Sequence, residues 1–123
     1  MTSAKPHIEM ASINLAEGWE QLPGFPAGIE VKPLVDDLDE ATQTGSRTRL
    51  VRFLGGARTT SELVHDYSEE VFVLRGDLVP ATAGDGEGTP SPSYTYRPPG
   101  TPHGPFLSRE GCILFEIQYY GRT

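Results

Sequence analysis

The chain has 123 residues, a formal charge of −7 and a hydrophobic fraction of 37%, enough for one domain with a modest core and above the composition of disordered chains. The acidic balance excludes a phosphate backbone as partner, which needs clustered Lys and Arg. No apolar run approaches the roughly 20 residues that cross a bilayer.

Fourteen glycines and eleven prolines favour short elements joined by turns over long helices. Residues 1–18 carry one weak apolar pattern, "INLAEGW". They are expected to form an N-terminal arm, an edge strand or a segment exchanged within a dimer. The same stretch lacks the apolar core of a signal peptide, so a cytoplasmic location is expected. His7, in this arm, is expected at the surface.

Residues 19–123 are expected to form the packed domain. "IEVKPLV" alternates apolar and polar residues as a strand does, and the acidic "DDLDEATQTGS" after it reads as a solvated hairpin loop. "RTRLVRFL" is the next strand, ended by Gly55 and Gly56. "EEVFVLRG" is β-branched and aromatic enough to be a buried strand. "VPATAGDGEGTPSPS" reads as a long loop, "SYTYR" resumes strand character, "PPGTPHGPF" turns sharply, and "CILFEIQYY" is the last strong strand. The single cysteine, Cys112, excludes an internal disulfide and reads as a small buried hydrophobe. Many short strands, with no helical periodicity, predict an all-β sandwich or barrel.

Of three histidines, His65 and His103 each stand beside a turn next to a strand. Two prolines stiffen the approach to His103, and Gly100 permits a tight turn. If "DYS" makes the turn after His65, then His65 closes one strand and Glu69 opens the next. Two imidazoles and one carboxylate on one face of a divalent ion form a recognised open site. Hydrogen-bonded polar residues at strand ends are the alternative at this point.

"HDYSEEVFVLRG", "YRPPGTPHGPF" and "GCILFEI" together resemble the two signature motifs of the cupin superfamily. The likeness is to small single-domain cupins of the ChrR-like and acetylacetone-cleaving branch, and it covers roughly Trp19 to Tyr120. It implies a double-stranded β-helix, the cupin jelly-roll barrel. By motif position it implies the metal ligands His65, Glu69 and His103. The family's further histidine falls on Leu63, which cannot bind a metal. Three outcomes are compatible with that departure. A three-ligand site persists with water in the remaining place; Glu62 or Glu70 substitutes; or the metal is lost and a polar pocket remains.

The resemblance implies a metal-dependent dioxygenase acting on a diketone or hydroxy-ketone chelated at a two-histidine, one-glutamate site. Isomerase or lyase chemistry through an enolate or enediol, and a non-catalytic ligand sensor, are the alternatives. The cofactor would be Fe(II), Mn(II), Ni(II), Co(II) or Zn(II). The catalytic candidates are Glu69, Tyr96 and Arg52. Tyr67, Tyr94, Arg97, Phe72 and Trp19 are further candidates for lining the pocket, and Arg49 or Arg52 would clamp a carboxylate if it faced inward. The partners expected are a small-molecule substrate and a second copy of the chain in a homodimer, with no nucleic acid and no membrane.

Overall fold

The computed structural model describes residues 5–84 and 86–121. Eight strands follow one another: β1 (Glu20–Gln21), β2 (Ile29–Asp36), β3 (Ser46–Phe53), β4 (Ser68–Gly76), β5 (Val79–Pro80), β6 (Ser93–Arg97), β7 (Phe106–Leu107) and β8 (Cys112–Tyr119). Six form one sheet in the order β1-β2-β3-β8-β4-β6, and β5 pairs with β7 in a second. Every pairing is antiparallel, and the described residues contain no helix. This is an all-β architecture of two antiparallel sheets.

The five longer strands coincide, to within a residue at most ends, with the alternating segments of the sequence. The two-residue strands β1, β5 and β7 are additions, because two residues are too few to carry a period. Residues 5–19 form no strand; the start of the expected arm, residues 1–4, lies outside the described residues. His7 is exposed, with its ring beside Glu9. Among the described residues no helix is long and apolar enough to cross a membrane.

Strand parity sets the interior. Ile29 and Val31 of β2, Val51 and Phe53 of β3, Val71 and Val73 of β4, and Cys112 and Leu114 of β8 form the apolar core with Leu22. Burying each aliphatic or aromatic side chain here contributes about 1.5–3 kcal/mol. Cys112 is buried and free, and burial pushes its thiol pKa up. β4 must end at Gly76, whose φ is +82°; a Cβ there would stand 2.0 Å from the Gly111 carbonyl oxygen. Only glycine combines that conformation with that approach.

Past β5, the backbone at Gly84 and Glu87 is tied to the barrel by one side chain. Arg109 donates from Nη1 to the Glu87 carbonyl at 3.1 Å and from Nη2 to the Gly84 carbonyl at 2.6 Å. Asp77 gathers the opposite turn, accepting from Ser108 Oγ and from the backbone N–H groups of Arg109 and Glu110.

Candidate metal and ligand site

The same parity that builds the core leaves a cavity of about 320 Å³ inside the barrel. Its walls divide by chemistry. Leu22, Phe25, Ile29, Val51, Phe53 and Leu114 line the apolar part. Toward the other end, the inward positions of the same strands change character: Arg47 and Arg49 on β3, Glu116 and Gln118 on β8, Glu69 on β4 and Arg97 on β6. Glu40 and His65 also line a surface depression with Pro99 and Gly100, so the cavity opens there.

Two turns are laced together to present the histidines. The N–H of Leu63 donates to the His103 carbonyl at 2.7 Å, the N–H of His103 returns to the Leu63 carbonyl at 2.9 Å, and the N–H of Gly100 reaches the His65 carbonyl at 2.7 Å. Gly100 adopts φ +82° to make that turn. His65 stacks on Tyr67 with ring centres 4.6 Å apart and lies 5.0 Å from the His103 ring. Asp66, between His65 and Tyr67, faces solvent and accepts from Tyr120 Oη at 2.6 Å and Gln43 Nε2 at 2.9 Å. Those bonds hold its carboxyl below the usual range.

The structure brings His65, Glu69 and His103 together: one ligand atom from each lies within 4.8 Å of the others. Thr101 O stands 3.1 Å from His103 Nδ1, which places a proton on Nδ1 and turns Nε2 toward Glu69 Oε1 at 3.6 Å. Burial lowers the pKa of His65, and the neighbouring His103 lowers it further against the pull of Glu69, so its ring is neutral. Two imidazoles and a carboxylate on one wall fit a divalent transition-metal ion.

Glu69 is buried and held from two sides. Arg97 Nη1 donates to Oε1 at 3.0 Å, and Gln118 Nε2 donates to Oε2 at 2.6 Å. Tyr67 is buried beside the histidines, and desolvation pushes its pKa up to about 12, so it remains a hydrogen-bond donor. Arg49 Nε meets Glu116 Oε1 at 2.9 Å; burial raises the Glu116 pKa against the pull of Arg49.

Several candidates stand elsewhere. Glu69 faces inward, so Glu70 and Phe72 face outward, and their cross-strand partners Tyr96 and Tyr94 share that outer face. Tyr96 is about half exposed, and its expected catalytic position is corrected by this register. Arg52 lies between the inward Val51 and Phe53 and therefore points out; its Nε meets Glu30 Oε1 at 2.7 Å. Trp19 covers that guanidinium from outside, 4.6 Å from ring centre to Arg52 Cζ. Neither residue reaches the cavity. Of the two glutamates offered as substitutes for the departed ligand, Glu62 is exposed and Glu70 accepts from the Tyr94 hydroxyl at 2.8 Å on the outer face. Leu63 does line the cavity, as do Tyr67, Arg49 and Arg97.

Arg47, Glu116 and Gln118 were not among the sequence candidates. The signal was present in the alternation of β8, where Glu116 and Gln118 share the face of Leu114. It was masked by Phe115, Ile117 and Tyr119 on the other face, which is the more apolar of the two.

No curated protein sequence matches the chain. Among solved structures it is similar to an acetylacetone dioxygenase from Acinetobacter johnsonii, at 18% identity and TM-score 0.65, covering 98% of this chain and 80% of that one. It is similar to an RmlC-like cupin from Shewanella frigidimarina at 19% identity and TM-score 0.65, covering 94% of each chain. It is also similar to KdgF from Halomonas sp. at 19% identity and TM-score 0.65, covering 89% of this chain and 94% of that one. At these identities the likeness is one of fold. The family model of the ChrR cupin-like domain matches residues 10–119, which is most of the chain, and the protein therefore belongs to the ChrR-like cupin family.

Proposed function

We propose that the protein is a metal-dependent small-molecule enzyme of the cytoplasm, a homodimeric dioxygenase acting on a diketone or hydroxy-ketone. The observation that carries this reading is the convergence of His65, Glu69 and His103 within 4.8 Å in the wall of a half-apolar cavity. A divalent ion held by these three would polarise the oxygens of a chelating substrate and supply the open positions that oxygen chemistry needs. The protein's own part is positional. Arg97 and Gln118 fix the Glu69 carboxylate, the Thr101 carbonyl fixes the tautomer of His103, and Tyr67 offers a protonated hydroxyl. The apolar end receives the hydrocarbon part of the substrate and excludes water.

The test is elemental analysis of untagged protein reconstituted with Fe(II), Mn(II), Ni(II), Co(II) or Zn(II), followed by O₂ uptake with a panel of β-diketones. We expect one ion per chain, loss of at least about tenfold in affinity in His103→Ala (1.4 kcal/mol), and no uptake by His65→Ala. Absence of metal after every reconstitution sinks the reading. Proton exchange at the substrate α-carbon without O₂ uptake selects an isomerase or lyase instead.

Two observations favour a second reading, a ligand-binding cupin without metal. Both oxygens of Glu69 already accept hydrogen bonds from side chains, and Leu63 stands where the family resemblance puts another ligand. Ligand binding without turnover in metal-treated protein selects it.

A further inference from the structure

Three arginines line the cavity, and two of them are neutralised there: Arg49 by Glu116 at 2.9 Å and Arg97 by Glu69 at 3.0 Å. Arg47 is different. Its Nε donates to Gln118 Oε1 at 2.8 Å, and its Nη2 donates to the same oxygen, so its hydrogen-bonded partner is a neutral amide. Its guanidinium carbon also stands 6.0 Å from the centre of the Tyr67 ring, which helps to hold its plane. Asp36, opposite Arg47 in the β2–β3 register, turns its carboxylate to the N–H of Leu38 at 2.9 Å. Glu40 is exposed at the mouth, and the other acids lining this end are held elsewhere, Glu69 by Arg97 and Gln118 and Glu116 by Arg49. Among the described residues no ion pair joins Arg47 to a carboxylate.

Gln118 is almost completely buried, 1% exposed, and its amide orientation is set at both ends. Its oxygen accepts from Arg47, and its nitrogen donates to Glu69. The guanidinium is thus docked along its Nε–Nη2 edge, one amide away from the candidate metal carboxylate. A guanidinium has five N–H donors in two forks. The fork toward Gln118 is used, and the Nη1–Nη2 end remains. Among the described residues no buried side-chain nitrogen or oxygen lacks a hydrogen-bond partner, so Nη1, which has no bond to any of them, is accessible rather than sealed in the wall. A fixed fork with a neutral companion is an unfinished charge site that a planar carboxylate completes bidentately.

We propose that Arg47 anchors a carboxylate group of the ligand, so that this cavity takes an amphipathic organic acid: carboxylate on Arg47, hydrocarbon toward Leu22, Phe25 and Phe53. This deepens the proposed function by narrowing its substrate class to acids and rests on the cavity being the substrate site; it does not require that a metal be bound.

The experiment is calorimetric titration of chelator-treated full-length protein with hexanoate and with hexanamide, its neutral isostere. Wild type is expected to bind hexanoate at least tenfold more tightly than hexanamide. Arg47→Gln is expected to lose that preference, and Arg47→Lys to regain only part of it, because an ammonium cannot offer a planar fork. Far-ultraviolet circular dichroism and a melting curve accompany each variant. The comparison of the two ligands on wild type stands even if a variant fails to fold. Equal affinity for acid and amide, hexanoate binding unchanged in folded Arg47→Gln, or no hexanoate binding at tens of millimolar overturns the proposal. Since no metal is present, these outcomes are separate from the metal and O₂-uptake results that decide the enzyme reading.

Discussion

Leu63 is the residue at which the family resemblance and the chemistry part. Its backbone is paired reciprocally with His103, so its Cα is held beside one of the candidate ligands, and its side chain faces the cavity. An imidazole at this position would start from a backbone already fixed against His103, with no loop to reorganise. Leu63→His is therefore expected to tighten metal binding by about tenfold or more (1.4 kcal/mol). A chelator-competition titration of Zn(II) or Ni(II) measures this directly. Unchanged affinity in the variant would show that position 63 is not within reach of the ion held by the other three.

At the scale of the element, the five longer strands were legible because each carries alternation bounded by Gly, Pro or acidic turns. The inward face was not. On β8 the more apolar set is Phe115, Ile117 and Tyr119, yet the barrel encloses Leu114, Glu116 and Gln118. On β3, too, the enclosed face carries Arg47 and Arg49. The usual inference that the apolar face turns inward fails where the interior is itself polar, and a polar interior is what a ligand site requires. The triad was legible because motif spacing carries position without reference to the face. Tyr96 is set on the outer face by its register with Glu70, which one strand's sequence does not contain. Arg52 is set outside by parity with Val51 and Phe53, on a strand whose enclosed face carries arginines of its own.

The Arg49–Glu116 pair tests that polar interior. It joins β3 to β8 at directly opposed positions, with side chains 13% and 11% exposed. Removing one partner from a buried pair leaves an uncompensated charge and costs about 3–5 kcal/mol, whereas replacing both by apolar groups is often near neutral. Arg49→Met alone is expected to lower unfolding stability in urea by that amount, and Arg49→Met with Glu116→Leu to recover most of it. A double variant as unstable as the sum of the two singles would show that the pair is not coupled.

At the scale of the molecule, the feature that calls for a partner lies on the outside of the sheet. β6 ends the strand order β1-β2-β3-β8-β4-β6, so its outer edge has no strand beside it among the described residues. The face next to that edge is aromatic: Phe72 lies 4.9 Å from the Tyr94 ring and 5.9 Å from the Phe115 ring. Tyr94, Tyr96 and Leu74 are each about half exposed. An open edge beside an apolar face is costly to leave in water, and a twofold pairing of two copies covers both at once. A stable interface of ordinary size buries roughly 800 Å² on each partner, which a five-residue edge strand and its outer face can supply only with neighbouring β4 and β8 side chains included. Tyr96 lies on that outer face opposite Glu70 and, pointing away from the cavity, is not needed for the ligand site. Sedimentation velocity at micromolar concentration is therefore expected to show a dimer for wild type, and Tyr96→Glu, which places a charge on this face, to shift it to monomer while binding of hexanoate in the cavity is retained. A wild-type protein that sediments as a compact monomer, or a Tyr96→Glu variant that remains fully dimeric, assigns the aromatic face no part in self-association.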